Sequence, residues 1–277
     1  MIKKILNTPE RTTHELLRDA CSRNSAEVFA KIRVADILPI ENSGISDDLF
    51  RFALQSHFDF VVGDAQQSPL FAVEFDGPNH REAIQIERDS KKDLLCDRFD
   101  LPILRINAEY INRKFRNLHL LTWFVEVWFF TKAVEEGQES GVLPGDEDFD
   151  PFFAYSIPGL MGKFPLWLSL EPRLKFQKMH ESGIVATPVP SKIVGRDENG
   201  RCRGLSYIRM GEKKGVFVST VMRSQHFPVH ASEVLCEILP FLLHQRIADA
   251  VNGDDPALPW EQVNSVVAGF RKFLRTI

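Results

Sequence analysis

Cysteine is scarce and scattered. The 277 residues include four, Cys21, Cys96, Cys202 and Cys236, and no two are spaced as a CxxC metal motif. That excludes a zinc site of the local thiolate type. It fits reduced thiols in the cytoplasm, buried as small hydrophobes. A surplus of positive charge is missing too. The 34 Lys and Arg are outnumbered by 38 Asp and Glu, a formal net charge of −4. No global electrostatic case for nucleic acid or an anionic membrane follows, although a local basic patch can sit on an acidic body. No apolar run is long enough to span a bilayer. The strongest, LHLLTWFVEVWFFTKAV from Leu118 to Val134, is interrupted by His119, Glu126 and Lys132. Its apolar core of about 13 residues falls short of the roughly 20 required, so it reads as a buried helix. The start, MIKKILNTPERTTHELL, is basic but lacks the apolar run of a signal peptide. There is no internal repeat.

What is present suits a globular protein. The chain is 44% hydrophobic and 26% charged, enough to bury a sizeable core in one large domain or two ordinary ones. Residues 10 to 23 have helical spacing, with Leu16, Leu17 and Ala20 on one face and Thr12 or Thr13 as caps. Residues 27 to 34 and 57 to 62 read as strands. The stretch from Leu38 to Leu49, with Pro39, Asn42, Ser43 and Gly44, reads as a loop. Residues 70 to 76, LFAVEFD, are continuously apolar apart from their acids, as in a central strand covered on both faces. Gly77 and Pro78 stop that strand. A helix is expected over 80 to 99, a short strand over 102 to 107, and a long aromatic helix over 111 to 136. This order makes a mixed α/β layer. Residues 137 to 151, GQESGVLPGDEDFDP, read as a linker. Residues 152 to 277 form a C-terminal α+β module. It has a hairpin around GRDENG, a strand over 215 to 221, and helices over 231 to 251 and 259 to 275.

The chemistry concentrates around Asp59 and the Glu74–Asp76 pair. Asp59 lies on the strand HFDFVV and Glu74 near the end of the next, and the short connection makes the two strands antiparallel neighbours. Side chains alternate faces along a strand, so Glu74 and Asp76 share one. With Asp59 beside them, three carboxylates would meet and repel unless a cation sits among them. Oxygen ligands suit a hard ion, Mg2+ or Mn2+, which can activate water at a phosphodiester. Glu15 on the first helix can reach such a metal or its water. His80, just past the strand end, can move a proton near neutral pH. Lys91 or Lys92 can reach a scissile phosphate and Arg88 can clamp one. A plainer reading stays open. Arg105 or Arg88 can satisfy the acids without metal, and Lys91, Lys92 and Glu15 can be solvated helix positions. In the C-terminal module, Arg201, Arg203, Lys213 and Lys214 offer either a modest basic rim or a solvated hairpin tip.

The run VEFDGPNHREAIQIERDSKKDLLCDRFDLPILRI, with HFDFVV before it and KIRVADIL at 31 to 38, resembles the DUF2726 family. More loosely it resembles the Vsr-like endonucleases of the PD-(D/E)XK superfamily. The resemblance covers roughly residues 10 to 108. It implies a restriction-endonuclease-like core over 1 to 136, a mixed four-stranded sheet flanked by helices. It implies a metal-dependent nuclease acting on DNA, with Asp59, Glu74 and Asp76 as ligands of Mg2+ or Mn2+. Glu15, His80, Lys91 and Lys92 complete the implied catalytic set, and Arg105 sits on the final strand. Asp76 stands where the superfamily usually has a lysine, and a lysine from the following helix can substitute. The alternative is an inactive nuclease-fold scaffold binding nucleic acid, or a partner protein through the C-terminal module.

Overall fold

The computed structural model describes residues 5–77, 83–115, 118–145 and 167–274. The chain divides into two compact units, Met1–Glu147 with Gln225–Pro228, and Asp148–Ser224 with Val229–Ile277.

The first unit opens with α1 (Thr8–Arg23), β1 (Glu27–Arg33), α2 (Val34–Ile37) and α3 (Asp47–Gln55). Asn7 caps α1 in a reciprocal box with Glu10, rather than Thr12 or Thr13. The loop expected up to Leu49 ends sooner, because Ser46 caps α3 through the Leu49 amide. Next come β2 (His57–Gly63) and β3 (Pro69–Phe75). Asp64 folds the turn between them by accepting the amides of Gln66 and Ser68. Then follow α4 (Ala83–Arg98), β4 (Ile103–Ile106), α5 (Ala108–Asn112), a small ribbon of β5 (Lys114–Phe115) and β6 (Leu118–His119), and α6 (Leu120–Glu139). The expected aromatic helix therefore starts later, at Leu120, and continues past Glu136.

The main sheet has the order β1-β2-β3-β4. Both β1–β2 and β2–β3 are antiparallel, while β3–β4 is parallel. This is a mixed four-stranded sheet with helices, and β3 is central as its apolar run implied. Phe58, Phe60 and Phe71 are fully buried, as are Trp123 and Phe124 of α6. Cys21 and Cys96 are buried, and that burial pushes both thiols up to about 12, so they are packed hydrophobes rather than reactive groups. No helix among the described residues is long and apolar enough to cross a membrane.

One part of the first unit comes from far along the chain. Ile103 of β4 donates to the His226 carbonyl at 2.8 Å, and the Gln225 amide group brackets the backbone of Arg105, accepting from its N and donating to its O, each at 2.8 Å. Phe227 packs edge-on against Phe71.

The second unit contains α7 (Leu170–Glu181), β7 (Ser191–Arg196), β8 (Cys202–Met210), β9 (Lys214–Met222), α8 (Ala231–Asn252), β10 (Leu258–Pro259) and α9 (Trp260–Lys272). Its four strands are antiparallel in the order β10-β9-β8-β7. Gly204 lets α8 approach β8, since a Cβ there would lie 2.8 Å from Leu239 Cδ1. The expected hairpin, third strand and two helices are present; α7 and β10 are additions.

Candidate functional site

The β2–β3 ladder runs from the turn as far as Phe60 opposite Val73. One step further, where Asp59 would face Glu74, side chains replace the ladder. The Phe75 amide donates to Asp59 Oδ2 at 2.9 Å, and the Asp59 amide donates to Glu74 Oε1 at 3.3 Å. The two acids hold the strand ends together while the backbone opens. A cleft of about 530 Å³ lies there, lined by Glu10, Lys31, His57, Asp59, Glu74, Arg88 and Lys92 among others.

Each carboxylate in the cleft meets a lysine. Lys31 Nζ lies 2.6 Å from Asp59 Oδ1 and 2.8 Å from Glu10 Oε1. Lys92 Nζ lies 2.6 Å from Glu74 Oε1 and donates to the His57 carbonyl at 2.7 Å. Lys31 sits within β1 at φ +56°, a left-handed conformation costing a side-chain-bearing residue roughly 1–2 kcal/mol. Its two ion pairs help offset that strain. Burial alone would pull the Lys31 ammonium down, but hydrogen bonds to Asp59 and Glu10 hold it above its ordinary value. Burial pushes the Glu74 carboxyl up; Lys92 opposes this and the Asp59 charge adds to it. The Glu74 side chain is only 7% exposed. Its Oε2 nevertheless takes no hydrogen bond from any described residue.

The expected residues separate in this geometry. Asp59, Glu74 and Lys92 come together in the cleft. Asp76 falls just beyond β3 and is not among the cleft-lining residues. Its amide bonds the Ile106 carbonyl at 2.6 Å, and its Oδ1 lies 3.9 Å from Arg105 Nη1. The alternation that places Glu74 and Asp76 on one face holds only inside a pleated strand, and the strand ends between them. Among the described residues no three His, Cys, Asp or Glu side chains stand together as a cation cage. The expected Asp59–Glu74–Asp76 triad is thus present as an Asp59–Glu74 pair. Lys91 points elsewhere, pairing with Asp48 and Glu87 at 2.8 Å each. Glu15 is a solvated helix position, 65% exposed and 4.0 Å from Arg11. His80 lies outside the described residues.

The acid that α1 brings to the cleft is Glu10. Its Oε2 closes the capping box and its Oε1 meets Lys31. The Asn7-x-x-Glu10 pattern is a signal that could have located it. Lys31 has no such signal, because a left-handed residue inside a strand is not legible from residue type.

Arg105 occupies a separate nest beside the cleft. It is opposite Glu74 in the β3–β4 register and almost fully buried. Asp93 lies 2.7 Å and Asp89 3.3 Å from its guanidinium. Burial works against its charge, yet Asp93 and Asp89 outweigh that and raise its pKa. Arg105 therefore neutralises α4 acids, while Glu74 is held by Lys92 and not by an arginine fork.

In the second unit, Arg201 and Arg203 are not a free basic rim. Both pair with Asp197, at 3.1 and 2.8 Å. That unit also has an apolar cleft of about 420 Å³ between α7, α8 and the segment around Val189.

Residues 2–117 match the family described as Protein of unknown function (DUF2726), and this segment belongs to it. No curated protein and no solved structure matches the chain.

Proposed function

We propose that this DUF2726 protein is a metal-dependent nuclease-like enzyme that hydrolyses DNA phosphodiesters, with a restriction-endonuclease-like core in its first unit. The observation that carries this reading is the opening of the β2–β3 ladder at Asp59 and Glu74. It presents two carboxylates to one cleft beside Lys31, Arg88 and Lys92. The donors are oxygen only, and Glu74 Oε2 takes no bond from a described residue, so the pair fits a hard divalent ion, Mg2+ or Mn2+. When bound, that ion supplies Lewis acidity and a water of lowered pKa.

The remaining chemistry belongs to the chain itself. Asp59 and Glu74 would hold the ion. Lys92, reaching in from α4, supplies an ammonium at the place where Asp76 cannot. It and Arg88 would bind non-bridging phosphate oxygens and stabilise charge that develops on them. Asp76 falls outside this group and acts, through the Arg105 nest, as a structural acid. A proton-transfer role for His80 completes the reading.

A second reading has its own support. A lysine 2.6 Å from each candidate ligand balances both carboxylates without metal, as expected of an inactive nuclease-fold scaffold that binds nucleic acid or a protein. Cleavage of supercoiled plasmid and labelled oligonucleotides with Mg2+ or Mn2+ separates the two. The nuclease reading expects cutting that falls at least about 100-fold in Glu74→Ala, roughly 2.7 kcal/mol of barrier. Folded wild-type protein that cuts no DNA or RNA, and whose melting no divalent ion shifts, would overturn it. Binding of DNA without cutting would favour the scaffold.

A further inference from the structure

The charged residues lining the cleft cancel. Glu10, Asp59 and Glu74 carry three negative charges, and Lys31, Arg88 and Lys92 carry three positive ones. A divalent cation entering alone meets three cations. A phosphodiester entering alone meets three carboxylates. Entering together, they leave the cleft with a net charge of one, and each ligand shields the other from its like charges.

The lysines are built to exchange. Each candidate ligand has one ammonium in contact, and each ammonium has a second acceptor nearby. Lys31 also holds Glu10 at 2.8 Å, and Lys92 also holds the His57 carbonyl at 2.7 Å. Either can therefore leave its carboxylate without losing every partner, which lowers the cost of the exchange. Neither lysine is sealed in, since the Lys31 side chain is 32% exposed and that of Lys92 12%.

We propose that Lys31 and Lys92 are exchangeable counter-ions. They neutralise Asp59 and Glu74 until a divalent cation takes those carboxylates, and then turn to the phosphodiester. This rests on the nuclease reading and adds that cation and phosphodiester bind as a coupled pair. Each must strengthen the other by the same factor. Lys31 is thereby a substrate-binding residue as well as a strand residue.

Calorimetry on the full chain tests this at fixed pH. Mn2+ is titrated alone, with a saturating phosphorothioate dinucleotide, which keeps the backbone charge, and with the neutral methylphosphonate dinucleotide. Mn2+ should bind about tenfold more tightly with the charged dinucleotide, within the usual range of coupling, and show no change with the neutral one. The double variant Lys31→Met, Lys92→Met should bind Mn2+ alone about tenfold more tightly than wild type and lose the enhancement. Should that variant not fold, the contrast between the two dinucleotides in wild type decides alone. Equal Mn2+ affinity in all three wild-type titrations, or equal enhancement by both dinucleotides, overturns the exchange while the metal site stands. Absence of Mn2+ binding under every condition overturns both.

Discussion

Glu74 and Asp197 are both acids buried in a sheet region and held by cations, yet their surroundings differ in kind. Asp197 is saturated. Its Oδ1 accepts the amides of Asn199 and Arg201, and its Oδ2 accepts Arg201 Nε and Arg203 Nε. Burial alone would raise its pKa, but these bonds, led by that of Arg203, hold it down at about 2. Glu74 keeps one oxygen without a partner among the described residues, and its carboxyl is pushed up rather than down. A saturated acid organises a hairpin. An unsaturated one, at the mouth of a cleft, is left with capacity for a ligand.

The largest break in this contrast is expected at the buried ion nest next to Glu74. Arg105→Met would leave Asp89 and Asp93 without the guanidinium they surround. Denaturant titration should show a loss of about 3–5 kcal/mol, typical when one partner of a buried ion network is removed. Asp197→Asn should cost less, about 1–2 kcal/mol, because the amide keeps some of the backbone bonds. Nuclease activity, where present, should survive that substitution.

The same residue sets a pH dependence whose sign follows from its lowered pKa. Its contribution is present above the ordinary aspartate range and fades as pH falls towards 2. The stability gap between wild type and Asp197→Asn should be full at about pH 6 and shrink as pH falls from about 4 towards about 2. A gap that stayed constant across that window would deny Asp197 its saturated character.

The smallest effects compare two acids on α1. Glu10→Ala removes a capping box and the second partner of Lys31, and should cost about 1 kcal/mol in thermal melts. Glu15→Ala removes an exposed contact of 4.0 Å and should fall within about 0.5 kcal/mol of wild type. Equal costs at the two positions would mean that the capping box does not fix Glu10 at the cleft.

Much of the sheet was legible before any coordinates. The unbroken apolar run of LFAVEFD made β3 central, and the alternating patterns placed β1 and β2 within a residue or so. The Gly-Pro stop and the polar GRDENG turn marked boundaries for the same reason, since each residue type restricts the backbone locally. α3 was harder to see, because its capping serine lies inside a polar stretch that reads as loop. Asp59, Glu74 and Lys92 were legible as site candidates from residue type and order. Glu10, Lys31 and the turning away of Asp76 were not. They depend on where one strand ends and where another bends.

The sequence by itself determined the elements that local chemistry controls, along with the pairing of Asp59 and Glu74 on adjacent antiparallel strands. Only the tertiary structure decided which charges meet. It opened the ladder at Asp59 and bent β1 at Lys31. It brought Lys92 rather than Lys91 inward and closed the β4 edge with Gln225 and His226, more than a hundred residues downstream. Backbone preference acts over a few residues and is written in them. Charge pairing acts across space, among groups that only folding brings within a few ångströms of one another.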